Sequence, residues 1–253
     1  MESHRDLIVE QFTQQAVPFA SAPSIRDEEA LKLLVDASGT CPDDTVLDVA
    51  CGPGLVVCAF ARVVRHATGI DVTPAMLDTA RAHAAAEGVT NVTWRSGDVT
   101  ALPFGDGEFS VVCSRFAFHH FQDPAAVLRD MIRVCRPGGH VVVQDLVPDP
   151  AKADRLNAME KLRDPSHTRA LPLGELVALF AAAGLAPSIT PTRLKSDVEG
   201  MLSRSFPEPG GADAVRRIFE ETLADDGLGL GARRVGDQIR FAYPVAILVA
   251  RRP

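Results

Sequence analysis

The chain has 253 residues, with 26 Lys and Arg against 33 Asp and Glu, for a formal net charge of −7. Hydrophobic residues make up 46% and charged residues 23%, ordinary globular usage that argues against global disorder and fits one sizeable α/β domain. The acidic balance disfavours nucleic acid as a partner, and no apolar run approaches the roughly 20 residues that span a bilayer.

The opening stretch MESHRDLIVEQF mixes charges with apolar residues and lacks the continuous apolar core of a secretory signal. Gln11 to Ser24 has weak periodicity broken by Phe and Pro, so residues 1–26 are expected to form a flexible arm or lid. Asp27 to Ala37 reads as a helix with Ala30, Leu31, Leu34 and Val35 on one face. Thr45 to Val49 is a short apolar strand that ends in the turn Cys51-Gly52-Pro53-Gly54, and Leu55 to Arg65 follows as a helix. Ala67 to Val72 is the second strand. Thr73-Pro74 then starts a helix with a capping residue and a proline at the first helical position, and Gly88 ends it. Val92 to Arg95 and Phe109 to Ser114 are the third and fourth strands.

Asp123-Pro124 repeats the cap-plus-proline start, Val127, Met131 and Val134 share one helical face, and Pro137-Gly138-Gly139 should stop that helix before a fifth strand, His140 to Leu146. Ala151 to Arg163 and Leu173 to Ala183 read as helices, and Ile189 to Leu194 and Ile239 to Ala250 as the last two strands. Between those strands, Ser196 to Arg204 and Ala212 to Leu223 read as helical before a glycine-rich stretch. Strands alternating with helices predict a Rossmann-like, doubly wound, mostly parallel α/β sheet of seven strands, with helices on both faces and an antiparallel last strand. Residues 27–253 would form that domain, with a cap over the substrate at 147–172 and an insertion at 196–236. The five cysteines (Cys41, Cys51, Cys58, Cys113, Cys135) are odd in number and form no Cys-x-x-Cys pair, which predicts reduced thiols in a cytoplasmic protein and no metal site.

The chemistry concentrates at strand ends. Asp48-Val49-Ala50-Cys51-Gly52-Pro53-Gly54 lies between a strand and a helix, where glycines let a ligand approach the backbone and the helix start offers free N–H groups. Asp71 ends the second strand, where a carboxylate can accept both hydroxyl protons of a ribose, and Asp98 follows the third, within reach of an adenine amino group. All three acids fall along the crevice where such sheets bind ligands. A nicotinamide dinucleotide would require glycine three residues after Gly54; that position is Val57. Asp48 also suits a cationic amino group better than a pyrophosphate, and S-adenosyl-L-methionine carries an α-amino group, a sulfonium, a ribose and an adenine.

The motifs VLDVACGPG (46–54), GIDVTPAML (69–77), GDVTALPF (97–104), FSVVCSRFAFHHF (109–121) and RVCRPGGHVVV (133–143) occur in this order over about 100 residues. With them the chain resembles the class I S-adenosylmethionine-dependent methyltransferases, in the branch similar to the ubiquinone/menaquinone-biosynthesis enzymes. The resemblance implies that Ala50, Cys51, Gly52 and Gly54 surround the methionine portion of the donor. It further implies that Asp71 holds the ribose, that Val72 and Met76 lie against the adenine, and that Gly97, Asp98 and the Val99 amide meet its polar edge. Ser114 and Arg115 would lie beside the sulfonium, and Phe19 of the arm would close over it.

Methyl transfer is a direct displacement that needs alignment and exclusion of water, and a base only where the acceptor must lose a proton. His119 and His120 are the candidate bases, with a role in fixing the loop as the alternative, and Arg115 is a candidate for positioning an acidic group. Phe12 and Phe19 are expected to roof the acceptor pocket. His167 and Arg169 are read as a solvated helix entry that could also face the pocket, and the lone tyrosine, Tyr243, as core with a satisfied hydroxyl. The expected activity is methylation at O, N or C of a small apolar or aromatic acceptor by a monomer or homodimer that yields S-adenosyl-L-homocysteine. The competing expectations are methylation of a nucleic acid or protein, and a donor-binding protein with a non-methylating or regulatory role.

Overall fold

Short β-branched and aliphatic runs form the centre of one sheet. The computed structural model describes residues 3–253. Strands β1 (Thr45–Val49), β2 (His66–Asp71), β3 (Val92–Ser96), β4 (Phe109–Arg115) and β5 (Cys135–Leu146) run parallel in the order β3-β2-β1-β4-β5. Beyond β5, β8 (Gln238–Arg251) lies antiparallel and carries β6 (Ser188–Asp197) on its outer edge. This is the expected seven-strand path. An eighth strand, β7 (Arg233–Val235), pairs with the start of β8; three residues beside a glycine-rich stretch are too few to show alternation.

Successive residues of the central strands point to opposite faces, and both faces are covered. Leu47, Val49, Val112, Val141 and Val143 pack toward α5 (Pro124–Val134) and α7 (Leu173–Ala182), sharing a core with Leu128, Met131, Leu176 and Phe180. Val46, Val111, Cys113 and Val142 face α2 (Glu28–Ala37), α3 (Leu55–Ala61) and α4 (Pro74–Ala86), with Leu34, Val57, Phe60 and Leu77. A separate core joins α6 (Ala153–Arg163), α8 (Val198–Leu202) and α9 (Gly211–Asp225) to β8 through Leu156, Met159, Met201, Phe219, Phe241 and Tyr243. Residues from the expected cap and insertion therefore share one apolar cluster.

Several boundaries differ from the sequence reading. The segment read as a flexible arm is an 18-residue helix, α1 (His4–Ser21), started by a reciprocal capping box between Ser3 and Asp6. Its buried residues are Gln11, Gln15 and Ala16, so the burial left no apolar stripe to read. α3 stops at Ala61 rather than Arg65. Thr73 occupies the cap position of α4, but its hydroxyl makes no capping bond. Extended backbone begins already at Cys135, so Pro137-Gly138-Gly139 lies within β5 instead of ending a helix. A Cβ on Gly139 would come within 2.4 Å of the Ser110 carbonyl, so the close approach of β4 requires glycine there. The helix expected from Ser196 is only the five residues of α8, because Ser196 and Asp197 still pair with β8. All five cysteines are free thiols, and only Cys41 is exposed. No described helix is long and apolar enough to cross a membrane.

Candidate functional site

The carboxyl ends of β1, β2 and β3 open into a cavity of about 370 Å³. Asp48, Asp71 and Asp98 all line it, as do Ala50, Cys51, Gly52, Val72, Met76 and Val99. The turn after β1 holds its shape through positive φ angles at Ala50 (59°), Gly52 (49°) and Gly54 (76°). Asp71 braces this turn: its Oδ2 accepts the Gly52 N–H at 2.8 Å, and Oδ1 accepts the Thr73 N–H at 2.8 Å. Each oxygen keeps acceptor capacity for a ligand. Burial pushes the Asp71 carboxyl up, against the pull of those backbone bonds.

Asp48 is 1% exposed and is approached by the Cys113 thiol at 3.6 Å. Burial pushes its carboxyl up to about 7, with Cys113 and Arg115 acting in the other direction. Asp98 lies nearer solvent. Burial alone would raise it, but the Thr100 hydroxyl and N–H, both donating to Oδ1, bring it below the usual carboxylate range.

Three of the expected ligand contacts, Gly54, Gly97 and Ser114, do not line the cavity and hold packing positions beside it. A Cβ on Gly54 would come within 2.5 Å of the Trp94 ring, and one on Gly97 within 2.9 Å of Ile70. The Ser114 hydroxyl is buried and donates to the Val49 carbonyl at 2.9 Å, tying β4 to β1.

α1 roofs the cavity with Phe12 and Phe19. It is anchored by His4 Nε2 donating to the His120 carbonyl (2.8 Å), by Phe12 set edge-on to the His120 ring, and by Gln15 donating to Asp164 (3.0 Å). Arg115 closes the far wall. Its guanidinium stands 4.5 Å from the Phe116 ring centre, and Nη1 donates to the Ile25 carbonyl at 3.2 Å. Nε and Nη2 are shielded and have no partner. Burial lowers this guanidinium to about 10. Phe116, which the sequence reading did not single out, has φ +56°, a costly conformation for an aromatic residue and one that clusters at functional sites.

Behind the roof lies an inner chamber of about 70 Å³ that shares Phe12, Phe19, Ile25, Phe116 and His120 with the larger cavity. His119 lines the chamber alone, and His120 lines both spaces. His119 Nδ1 donates to Asp145 Oδ1 at 2.5 Å. Burial would lower this imidazole, but the Asp145 carboxylate overrides it and raises the pKa. His120 Nδ1 donates to the Ser166 carbonyl, and burial lowers its pKa to about 4, so His120 is neutral at neutral pH. The chamber also holds a buried network in which Tyr243 and Arg163 both donate to Glu160, while Asp164 accepts from Ser166 and Gln15. Tyr243 thus has a satisfied hydroxyl in the core, as expected.

His167 and Arg169 line neither space. His167 donates to Asn157, and Arg169 pairs with Glu175 at the surface. Asp145, Glu160, Arg163 and Asp164 were not expected at the site. Asp145 had a signal: an acid at the carboxyl end of the apolar run Val141-Val142-Val143.

Residues 47–143 match a family described as a methyltransferase domain. The chain is 32% identical over 177 residues to the uncharacterized methyltransferase YcgJ of Bacillus subtilis, spanning 69% of this chain and 70% of that one. The crystal structure of YcgJ superposes with a TM-score of 0.80 at 27% identity, covering 89% of this chain and 99% of the other. A putative methyltransferase from Bacillus halodurans superposes with a TM-score of 0.81 at 26% identity and the same coverage.

Proposed function

The chain belongs to the class I S-adenosylmethionine-dependent methyltransferases, and we propose that it methylates a small molecule whose reacting atom enters the chamber beside His119 and His120. Its cofactor is S-adenosyl-L-methionine. The observation that carries the reading is the adjacency of the two spaces: a cavity edged by three carboxylates lies against a chamber edged by two histidines, with Phe12, Phe19 and Phe116 as shared walls.

The residues present fit the donor. Asp48, buried and beside the positive-φ turn, offers a carboxylate to a cationic amino group, and the remaining acceptor capacity of Asp71 suits ribose hydroxyls. Val72 and Met76 give the adenine an apolar face, and Asp98 and Val99 border its polar edge. When bound, the donor supplies an electrophilic methyl group on a sulfonium. The protein's part is to align the acceptor and exclude water, which the α1 roof does with two aromatic rings.

A hydroxyl or amine acceptor also loses a proton. His119 Nε2 makes no hydrogen bond among the described residues, and Asp145 fixes the proton on Nδ1, leaving Nε2 to accept one from the acceptor and Asp145 to stabilise the resulting imidazolium. The motifs around Gly52 and His119 support placement in the branch resembling the ubiquinone/menaquinone-biosynthesis methyltransferases, with an aromatic acceptor suited to the phenylalanine walls. The test is turnover of methyl-labelled donor over a panel of aromatic hydroxyl, amine and ring-carbon acceptors. Acceptor-dependent release of S-adenosylhomocysteine is expected, and steady donor binding without turnover across the panel would count against it.

A further inference from the structure

Beside Phe116 runs a groove of about 690 Å³, bounded by residues 18–33 on one bank and by β6, α8 and Arg204 on the other. Phe116 lines the donor cavity, the inner chamber and this groove alike. Arg115 lines the groove and the donor cavity, and Arg204 lines the groove and the inner chamber. The groove therefore adjoins both other spaces, and Phe116, held at positive φ, is the residue that borders all three.

Cations cluster along the groove. Arg115, Arg193, Lys195 and Arg204 line it, and none takes part in an ion pair among the described residues. The acids of the groove are largely committed: Asp27 accepts the N–H groups of Glu29 and Ala30 at the start of α2, and Asp197 accepts that of Gly200 at the start of α8. Cations on an edge strand such as β6 commonly guard against strand pairing, which would account for Arg193 and Lys195. It would not account for Arg115, whose Nε and Nη2 are shielded and unpartnered. A guanidinium left with free N–H groups costs stability unless a ligand meets them, and its planar fork matches an oxyacid anion.

We propose that this groove binds the anionic end of the methyl acceptor, a carboxylate or phosphate group, between Arg115 and Arg204, while the rest of the acceptor passes Phe116 toward the donor. The inference rests on the methyl-transfer reading and narrows it to acceptors that carry an oxyacid group. The arrangement also supplies selectivity, since a neutral analogue would leave Arg115 unpaired.

Calorimetric titration with benzoate, phenyl phosphate and the neutral isostere benzamide tests this, with and without S-adenosylhomocysteine. Both anions are expected to bind, and benzamide to bind at least about tenfold more weakly, the scale of one charge-assisted hydrogen bond. Arg204→Gln should weaken the anions similarly, and the double variant Arg193→Gln/Lys195→Gln, exposed and safe for folding, should weaken them less, while affinity for S-adenosylhomocysteine is unchanged in the double variant. Equal binding of benzamide, no binding of either anion, or anion affinities untouched in both variants would each overturn the proposal. A wild-type protein that binds the anions but not S-adenosylhomocysteine would instead contradict the methyl-transfer reading.

Discussion

The Asp71 carboxylate holds the Gly52 amide at 2.8 Å, so the acid that ends β2 also shapes the turn that follows β1. Its second oxygen does the same for Thr73 at the start of α4. One side chain thus ties together the three backbone segments around the donor cavity. Asp71→Asn keeps the volume but puts an amide where two N–H groups need an acceptor. Donor affinity should fall by about 1–3 kcal/mol and thermal stability should drop with it. Calorimetry with S-adenosylhomocysteine alongside a melting curve checks both; unchanged affinity would reject the ribose and turn assignments together.

Gly54 is constrained by packing. Its φ of +76° and the 2.5 Å approach of a hypothetical Cβ to Trp94 mean that Gly54→Ala must displace the indole. A loss of about 2 kcal/mol or more is expected, from strain plus overpacking. The single tryptophan makes this visible, because the emission of Trp94 should shift in the variant. A variant with wild-type emission and stability would refute the packing account.

Asp48 gives the free protein a pH dependence. Its carboxyl stands at about 7 when folded against 3.8 ordinarily, so its contribution is fully present below the lower value and is lost as pH rises through the higher one. Relative to Asp48→Asn, the wild type should therefore lose up to about 4 kcal/mol of stability between pH 4 and pH 8. A cationic amino group placed beside it favours the ionised form, so donor binding near pH 6.5 should release a proton. Calorimetry in buffers of differing ionisation enthalpy reads that proton, which should vanish in Asp48→Asn. Binding without proton release in the wild type would remove Asp48 from the donor's amino group.

The His119–Asp145 pair makes a separate prediction. The His119 pKa is raised in the fold, so the pair's stabilisation is complete below about pH 6.5, the unfolded histidine value, and fades as pH rises through the folded one. Asp145→Asn should flatten that dependence. With a hydroxyl acceptor it should also lower kcat by about 10²–10⁴-fold, the range for a lost general base, with donor affinity intact. Equal losses of stability and donor affinity, with a normal kcat in the protein that remains folded, would assign the pair to loop structure.

The central sheet and the three acids at its strand ends were legible because both rest on local pattern: β-branched runs, capped helix starts with proline, and glycine turns. α1 was not legible as a helix, since the face it buries carries Gln11 and Gln15, and polar residues leave no apolar period. The packing demand on Gly54 was not legible, because the partner that requires glycine there, Trp94, lies forty residues away on β3. The inner chamber was invisible for the same reason. His119, Asp145 and the pair Glu160 and Asp164 come from three separate segments, the loop after β4, the end of β5 and the end of α6, and only their packing with α1 brings them together. Phe116 carried no sequence signal at all, since its positive φ arises where the chain turns away at the end of β4, just past the parallel pairing with β5, with its N–H still donating to the Gln144 carbonyl.

The account is tested most directly by titrating the protein with S-adenosylhomocysteine and, separately, with NADH, while following heat and Trp94 emission. One saturable site for S-adenosylhomocysteine, weakened in Asp71→Asn and without a counterpart for NADH, is the predicted result. A protein that leaves S-adenosylhomocysteine unbound, or that binds NADH in its place with Asp71→Asn making no difference, would contradict it.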